Sequence, residues 1–496
     1  MEVVDPRPLL APLISFACAG LVFATGANVF WRRFWSLSAA IVKMALVLSM
    51  LPGTLRGVVY TADVVTFTPG VGIAFRADAY GMFFALVSST LWLFTTIYAI
   101  GYMSGERDRV RFFGFFALCV STTVGVAFAE NLLTFFLFYE TLTLCTYPLV
   151  VHAETPEALR AGRIYLTYTL IGGGFALVGA VMTFDAAGTL SLAHNGVFAA
   201  GTSEATLATI FVCLVVGFGV KAAIMPLHGW LPLAMVAPTP VSALLHAVAV
   251  VKVGAFGVTR VIYDVFGVEL LRELGYAVPL AALAGFTIVT ASALALRQDH
   301  LKRRLAYSTI SQLSYIVLGA ALLTPFAATA AIAHVAHQAF AKITMFFVVG
   351  AIARTTGKTH VSELAGIGVR MPWTMAAFAV AALSFVGVPL FAGFVTKWYL
   401  SLGALEAGAP VYVGVMLASS LLNAAYWFPI LHLAFFREPA DGAVGMREAP
   451  PLLLVPTLAC AAYVVLLGVT AEVPGMPFSV AQVAAQGFFA GGGGTP

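Results

Sequence analysis

Charge is what this chain has least of. Only 10% of its 496 residues are Asp, Glu, Lys or Arg, against about 25% in soluble domains, and that scarcity excludes a fold surrounded by water. The net charge of +4 is strung out between apolar runs, so it forms no basic surface for nucleic acid. Cysteine is nearly absent. The five present, Cys18, Cys119, Cys145, Cys213 and Cys460, lie in apolar segments without C-x-x-C spacing, which leaves disulfide, zinc and iron–sulfur readings unsupported and predicts inert packing. No G-x-G-x-x-G follows a strand, no phosphate-binding loop occurs, no two matching spans carry histidines for a haem, and no Ser/His/Asp grouping stands out. The sequence therefore predicts no catalytic residues, no cofactor, no metal site and no redox site of its own.

What it has is hydrocarbon. Hydrophobic residues make up 61% of the chain. Apolar segments of about 20 residues, enough to cross roughly 30 Å of bilayer core, recur at about 9–27, 34–52, 79–103, 112–129, 132–151, 162–184, 206–225, 239–262, 275–296, 305–324, 327–353, 373–396, 409–435 and 451–471. These predict an all-α polytopic membrane protein of about 14 transmembrane helices, a single membrane domain over residues 1–496. The seventh, eleventh and twelfth spans are interrupted by Pro, Gly or polar residues. The first lacks a basic n-region and a cleavage site and is read as a span, not a removed signal. Residues 57–81, β-branched runs broken by "TPG", predict a hairpin sealing one face; the tail "GGGGTP" is expected to be disordered.

Placing the N-terminus outside puts Arg32, Arg33, Arg107, Arg109, Arg111, Arg160, Arg163, Arg297, Lys302, Arg303, Arg304, Arg354, Lys358, Arg370, Arg437 and Arg447 on the cytoplasmic side. Arg7, Arg56, Arg76, Arg260 and Arg272 fall on the other. The positive-inside rule then predicts both termini on the outer face.

Against that background, several ionisable groups stand at membrane depth: Lys43, Glu140, Lys221, His246, Lys252, His334, His337, Lys342 and Lys397, with His228 at a helix break. Each buried Lys or carboxylate costs about 2.5–3.5 kcal/mol on insertion scales, a total on the order of 10 kcal/mol, comparable to the stability of a whole domain. Such groups normally face a bundle interior or a wet cavity. Glu140 is the only acid placed deep, with Thr143 and Tyr147 on its face as hydrogen-bond partners, and Lys221 is its expected ion-pair partner. Lys221 lies in "GFGVKAAIMPLHGWLP", where Pro226 must break the seventh helix; "GVPLFAGF" predicts a similar break in the twelfth, before Lys397. Paired interrupted spans point to an ion pathway between repeats. His246 follows Ser242 by one turn, but six residues separate it from Lys252, about 240° around a helix, so helical wander or a local break is needed for the two to hand on a proton directly. His334, Gln338 and Lys342 fall within a sector of about 80°, a polar stripe with His337 just beside it. Lys397 is placed near the end of its span, and Lys43 shows no partner and receives no role. A polar seam that merely packs helices remains the alternative to a proton relay.

The Glu140 span, "KAAIMPLHGWLPLAMVAPTPVSALLHAVAVVKVGAFGVTRV" (221–261), "LKRRLAYSTISQLSYIVLG" (301–319), "HVAHQAFAKITMFF" (334–347) and "GVPLFAGFVTKWYL" (387–400) resemble the antiporter-like proton-conducting subunits of Mrp-type sodium/proton antiporters, respiratory complex I and membrane-bound hydrogenases, the D-type subunit of the Mrp antiporters above all. The resemblance implies two inverted five-helix repeats, helices 4–8 (111–263) and 9–13 (274–436), with helices 7 and 12 broken. It also implies a membrane-parallel proton path through Glu140, Lys221, Lys252, Lys342 and Lys397, with His246 and His334 at positions where relatives carry histidines. Gln338 stands where relatives often have a histidine; glutamine orders water but does not titrate, so water or His337 must serve there. The chain ends soon after its fourteenth span, without the long lateral helix of the largest complex I member. Other membrane subunits, protons, possibly sodium, and the lipid of a bacterial or archaeal inner membrane are the implied partners. A non-conducting structural subunit of an oxidoreductase is the competing reading, and a quinone-reducing enzyme a third that lacks visible cofactor sites.

Overall fold

The computed structural model describes residues 1–193, 195–439 and 445–489; the glycine-rich tail lies outside them. Helices follow one another almost without interruption. They are α1 (Arg7–Thr25), α2 (Val29–Thr54), α3 (Ala79–Tyr102), α4 (Arg109–Ala127), α5 (Leu132–Val150), α6 (Pro156–Ala187) and α7 (Glu204–Lys221). Next come α8 (Trp230–Leu233), α9 (Thr239–Ala247), α10 (Val250–Arg260), α11 (Val268–Leu274), α12 (Ala277–Leu296), α13 (Leu301–Ala321) and α14 (Pro325–Thr356). The chain closes with α15 (Ile367–Arg370), α16 (Pro372–Val386), α17 (Ala392–Glu406), α18 (Val411–Phe436), α19 (Pro451–Val469) and α20 (Pro477–Phe489).

Among the described residues, twelve helices are individually long and apolar enough to cross a membrane, α9 to α10 counting as one with its extension to Phe266. Helix α13 is long enough but too polar to join them, and the pair α16 and α17 is broken; these two stand where the tenth and twelfth spans were expected. The fold is that of an all-α, multi-pass membrane protein. In its middle lie α14, buried from Ala327 to Ile352, and the α9–α10 span. Helices α2 and α18 are largely exposed, the pattern of peripheral helices whose outer face meets lipid or another chain.

The expected hairpin forms: β2 (Val59–Thr68) and β3 (Val71–Ala77) pair antiparallel around Gly70, whose φ of +78° suits a residue without Cβ. A third strand not anticipated, β1 (Glu2–Val4), adds in parallel. The sheet sits on the start of α5, where Asn131 caps the helix by accepting from Thr134 N and donates from Nδ2 to Gly72 O at 3.1 Å. This end of the bundle is the hairpin face.

Two expectations about breaks need correction. The eleventh span is not interrupted: α14 runs unbroken through 32 residues, because its polar residues are accommodated by neighbouring helices and none of them is Pro after the first turn. The eighth span, in contrast, is broken. At Val248 and Ala249 the backbone leaves the helix (Ala249 ψ −98°), and Ala249 N bonds Leu244 O at 3.0 Å in a widened turn. Helix α20 was not foreseen at all. Phe478, Val480, Ala481, Ala484, Ala485 and Phe488 turn its apolar side onto the bundle, against α14 and α3.

Candidate proton-transfer site

Helix α7 ends at Lys221, followed by Ala223 with φ +54° and by Pro226, which has no N–H to continue the ladder. Side chains donate to carbonyls of the last turns: Tyr139 Oη to Gly217 O at 2.8 Å and Trp230 Nε1 to Val220 O at 2.8 Å. The Lys221 ammonium, fully buried, lies 3.3 Å from the centre of the Tyr139 ring and donates to Tyr139 O. Glu140, the next residue on α5, acts on Lys221 electrostatically, yet the two do not close a hydrogen-bonded pair. Its buried Oε1 has no partner, and the carboxylate is seated on Gly173 of α6, where a Cβ would stand 2.6 Å from Glu140 Cδ. The closed ion pair expected from sequence is therefore open. The hydroxyl expected to serve Glu140 is also spent elsewhere: Thr143 Oγ1 donates to Tyr139 O at 3.5 Å, the local bond that helical Ser and Thr default to.

Helix α10 meets the broken end of α7 at Gly254, where a Cβ would stand 2.6 Å from Lys221 C and 2.8 Å from Lys221 Cβ. Two residues earlier on α10, Lys252 is wholly buried and its Nζ has no hydrogen-bond partner. The break at Val248 and Ala249 separates Lys252 from His246. Both ring nitrogens of His246 are unpartnered; the ring packs on Phe346 at 4.9 Å. Ser242, expected to hydrogen-bond His246, bonds Ala237 O instead.

The polar stripe of α14 faces α13, and α13 answers with a stripe that sequence reasoning passed over. Ser308, Gln312 and Tyr315 recur at i, i+4 and i+7, a signal available in "YSTISQLSY" had the segment been tested for polar periodicity. Lys342 Nζ donates to Ser308 Oγ at 2.8 Å and sits 4.2 Å from the Phe385 ring. Tyr426 Oη also donates to Ser308, at 3.1 Å. His334 stacks on Tyr315 at 5.4 Å, with Nδ1 3.0 Å from Thr396 Oγ1 of α17. Gln338, His337, Gln312 and Tyr315 leave buried polar atoms unpartnered among the described residues. His337 points off the stripe toward Phe478 of α20. Lys252, His337 and Lys397 stand close enough to act electrostatically on His334, and Lys252 on Lys342.

Lys397 is not near the end of its span. The apolar run stops at Thr396, but the helix restarts at Ala392 and continues to Glu406, which places Lys397 just past the break and in mid-bundle. Its ammonium donates to Phe385 O at 2.7 Å and Val386 O at 3.1 Å, the last carbonyls of α16, and to Ser420 Oγ at 2.7 Å. A cation there meets the negative end of a half-helix dipole. Lys43 stands apart between α2 and α3, wholly buried with Nζ 3.9 Å from the Trp92 ring. His228 occupies the loop after the α7 break, half-buried, 6.4 Å from the Tyr307 ring.

Fold and site together define a multi-pass membrane protein whose core carries buried lysines and histidines with one glutamate beside them. Comparison with known proteins makes the assignment specific. Residues 129–423 match the NADH:quinone oxidoreductase/Mrp antiporter transmembrane family, and residues 67–113 match the NADH-ubiquinone oxidoreductase (complex I) chain 5 N-terminus. The NADH-quinone oxidoreductase subunit N of Desulforudis audaxviator is 33% identical over 90% of this chain and 92% of its own. A Na(+)/H(+) antiporter subunit of Alkalihalophilus pseudofirmus, of the D type, is 29% identical, covering 84% and 83%. A chain of the Mrp complex from Dietzia sp. DQ12-45-1b superposes with a TM-score of 0.87 at 21% identity over 97% of this chain and 99% of that one. The chain belongs to the NADH:quinone oxidoreductase/Mrp antiporter transmembrane family.

Proposed function

We infer that the chain is a proton-translocating subunit of a multi-subunit Mrp-type cation/proton antiporter, or of a related respiratory or hydrogenase membrane complex. One observation carries the reading: buried amines and imidazoles stand on α7, α9, α10, α14 and α17, several with polar atoms unpartnered among the described residues. Buried polar groups without partners cost free energy unless water reaches them, and water linking titratable groups is what a proton relay requires. A subunit whose charges only pin helices together needs closed pairs, and the open Glu140–Lys221 contact is the opposite.

In this reading the chain crosses an inner membrane about fourteen times, its two inverted repeats spanning 111–263 and 274–436, with the hairpin face outward and the arginine-rich face in the cytoplasm. Protons enter near His228 at the α7 break. Movement of Glu140 toward or away from Lys221 sets whether that lysine holds a proton. The proton then passes to Lys252 and His246, along His334, Gln338, His337 and Lys342, and on to Lys397. Neighbouring membrane subunits complete the complex and supply the driving reaction, redox chemistry or sodium exchange.

The test is coupled proton flux in vesicles carrying the whole complex. Lys221→Ala and Lys342→Ala should each lower it at least tenfold with the complex still assembled, and Glu140→Gln should lower it several-fold. Parental flux in both lysine variants, or loss of assembly with pumping intact in whatever assembles, would establish the structural reading instead.

A further inference from the structure

Helix α9, which carries His246, starts at the arginine-rich face beside a cavity of about 590 Å³. Its wall is made by residues 102–108 after α3, 152–154 after α5 and 236–238 before α9, with Lys302 at the start of α13. Lys302 Nζ donates to Ala237 O at 2.8 Å, and Ser242 Oγ of α9 reaches the same oxygen at 3.4 Å. Ser242 is wholly buried; so is His246 one turn further on, with both ring nitrogens unpartnered among the described residues. One carbonyl is thus shared between the cavity wall and the buried stretch that leads to His246. Lys302 and Lys342 both stand close enough to act electrostatically on that histidine.

The other flank of α9 is closely packed. Thr239 Oγ1 donates to Tyr102 Oη at 3.2 Å, and Tyr98 Oη donates to Phe347 O of α14 at 2.8 Å. Gly350 lets α14 approach so near that a Cβ there would stand 2.6 Å from Thr239 Cγ2. The Ala237 side is where cavity water and the His246 helix meet.

The charge on Lys302 is left unanswered. Three acids line the cavity, and neighbouring arginines hold all three: Glu106 pairs with Arg354 at 2.8 Å, Glu154 with Arg111, and Asp108 with Arg111 at 3.8 Å. The other titratable groups of the wall, Tyr102, Arg107 and His152, bring no anion at neutral pH. Among the described residues no carboxylate lies within ion-pair distance of Lys302, whose hydrogen bond goes to a neutral carbonyl. Two side chains that converge on one oxygen stand within about 6 Å of each other, and a unit charge at that range, at an effective dielectric constant of about 20, changes the local proton population by about a hundredfold. A fixed cation excludes protons from a water-filled pore in the same way.

We propose that Lys302 is an electrostatic plug, a positioned charge that keeps protons of the arginine-rich side from entering the relay at Ser242 and His246. The inference rests on the relay reading of the buried lysines. A relay entered at the α7 break and switched by Glu140 needs its later stations shut off from the phase it draws on, because a second entry at His246 bypasses the switch. Lys302 closes that entry by charge, and its bond to Ala237 O holds the charge in place.

The experiment uses vesicles carrying the whole complex, with the driving reaction withheld and a proton gradient imposed, and it reads passive proton leak. Lys302→Gln keeps a donor for Ala237 O without the charge and should raise the leak at least tenfold, whereas Lys302→Arg should hold it at the parental level. A side chain that only braces the loop before α9 gives low leak in both. Adding Lys342→Ala to Lys302→Gln should abolish the leak, since it runs along α14. Lys302→Cys should leak likewise and be closed from the arginine-rich side by a cationic methanethiosulfonate but not by a neutral one, which keeps the test open if the glutamine variant fails to assemble. Parental leak in the uncharged variants, a leak that survives Lys342→Ala, or equal closure by the neutral reagent overturns the plug. When Lys342→Ala stops coupled transport but Lys302→Gln does not leak, the relay stands and only the plug falls. When the parent complex moves no protons under its driving reaction, both readings fall.

Discussion

Lys397 allows the structural and the transport roles of one side chain to be separated. Its ammonium makes three hydrogen bonds, to Phe385 O, Val386 O and Ser420 Oγ, and a bond from a charged donor contributes about 1.5–3 kcal/mol. Burying the ammonium costs several kcal/mol in return, so Lys397→Met should lose about 2 kcal/mol net, because the last carbonyls of α16 are left without their donor. A drop of about 2 °C in the unfolding midpoint of the purified complex is expected. Lys397→Arg keeps a cation and more donors than it needs, so the half-helix stays capped; crowding against Gly387, whose Cβ position lies 2.9 Å from Lys397 Cδ, limits the penalty to about 1 kcal/mol. Guanidinium does not deprotonate below a pH of about 12. Proton flux should therefore fall at least tenfold in both variants, while only the methionine variant is clearly destabilised. The assay pairs differential scanning fluorimetry with dye-monitored flux in vesicles. Parental flux in Lys397→Arg would refute the idea that this lysine gives up its proton.

Two further outcomes are expected. Gly173→Ala places a Cβ 3.0 Å from Glu140 Oε2, which must swing the carboxylate from its seat; flux should change several-fold with thermal stability lowered by about 1–2 kcal/mol, and unchanged flux would show that the carboxylate position is immaterial. In the loop between α12 and α13, burial works to raise the Asp299 carboxyl, but hydrogen bonds from Ser362 Oγ at 2.8 Å and Ser362 N at 3.0 Å outweigh it and hold the group below its ordinary value. A lowered folded-state pKa contributes stability above the unfolded value of about 3.9 that is lost as pH falls through the folded one; the protection factors at residues 359–364, exchange rates corrected for the pH-dependent intrinsic rate, should fall below about pH 4 and stay constant from about 5 to 8.

Legibility in the sequence followed the range of the physics. Hydrophobic run length located the spans, and prolines at 226 and 389 located breaks after Lys221 and before Lys397, because both effects act within a few residues. Helical periodicity put His334 and Lys342 on one side of α14, toward Tyr315 and Ser308. Hydroxyl partners went wrong for a local reason as well: Thr143 and Ser242 satisfy nearby backbone carbonyls, an option always open to them and invisible to spacing arguments. Lys397 was misplaced because its apolar run ends where a second half-helix is already under way. The Arg260–Asp78 contact joins residues 182 positions apart, and no pattern within either segment announces it. Helix α20, at 13 residues, is too short to register as a span and is defined by the surface it covers.

The lysines of the row are not equivalent, and the difference fixes where transport is hardest. Lys221 and Lys397 stand beside breaks, where backbone carbonyls accept from their ammonium groups, and Lys342 has Ser308. Lys252 has nothing: it is wholly buried, its Nζ unpartnered, with a histidine and a second lysine in electrostatic reach on α14. Among the lysines of the row a proton resting there has the fewest contacts to hold it, which makes Lys252 the crest between the Glu140–Lys221 end and the α14 end. Replacing an unpaired buried cation by an apolar side chain of similar length removes the burial cost without orphaning a partner, so Lys252→Met should stabilise the complex by about 1–4 kcal/mol. The same substitution should abolish flux, because the crest is also the only amine between the two ends on α10. Opposite signs for Lys252→Met and Lys397→Met in one thermal assay, with flux lost in both, are the signature of a relay whose middle station is kept for function at the expense of stability. If Lys252→Met is destabilised as much as Lys397→Met, the ammonium has a partner in the working protein and the crest lies elsewhere.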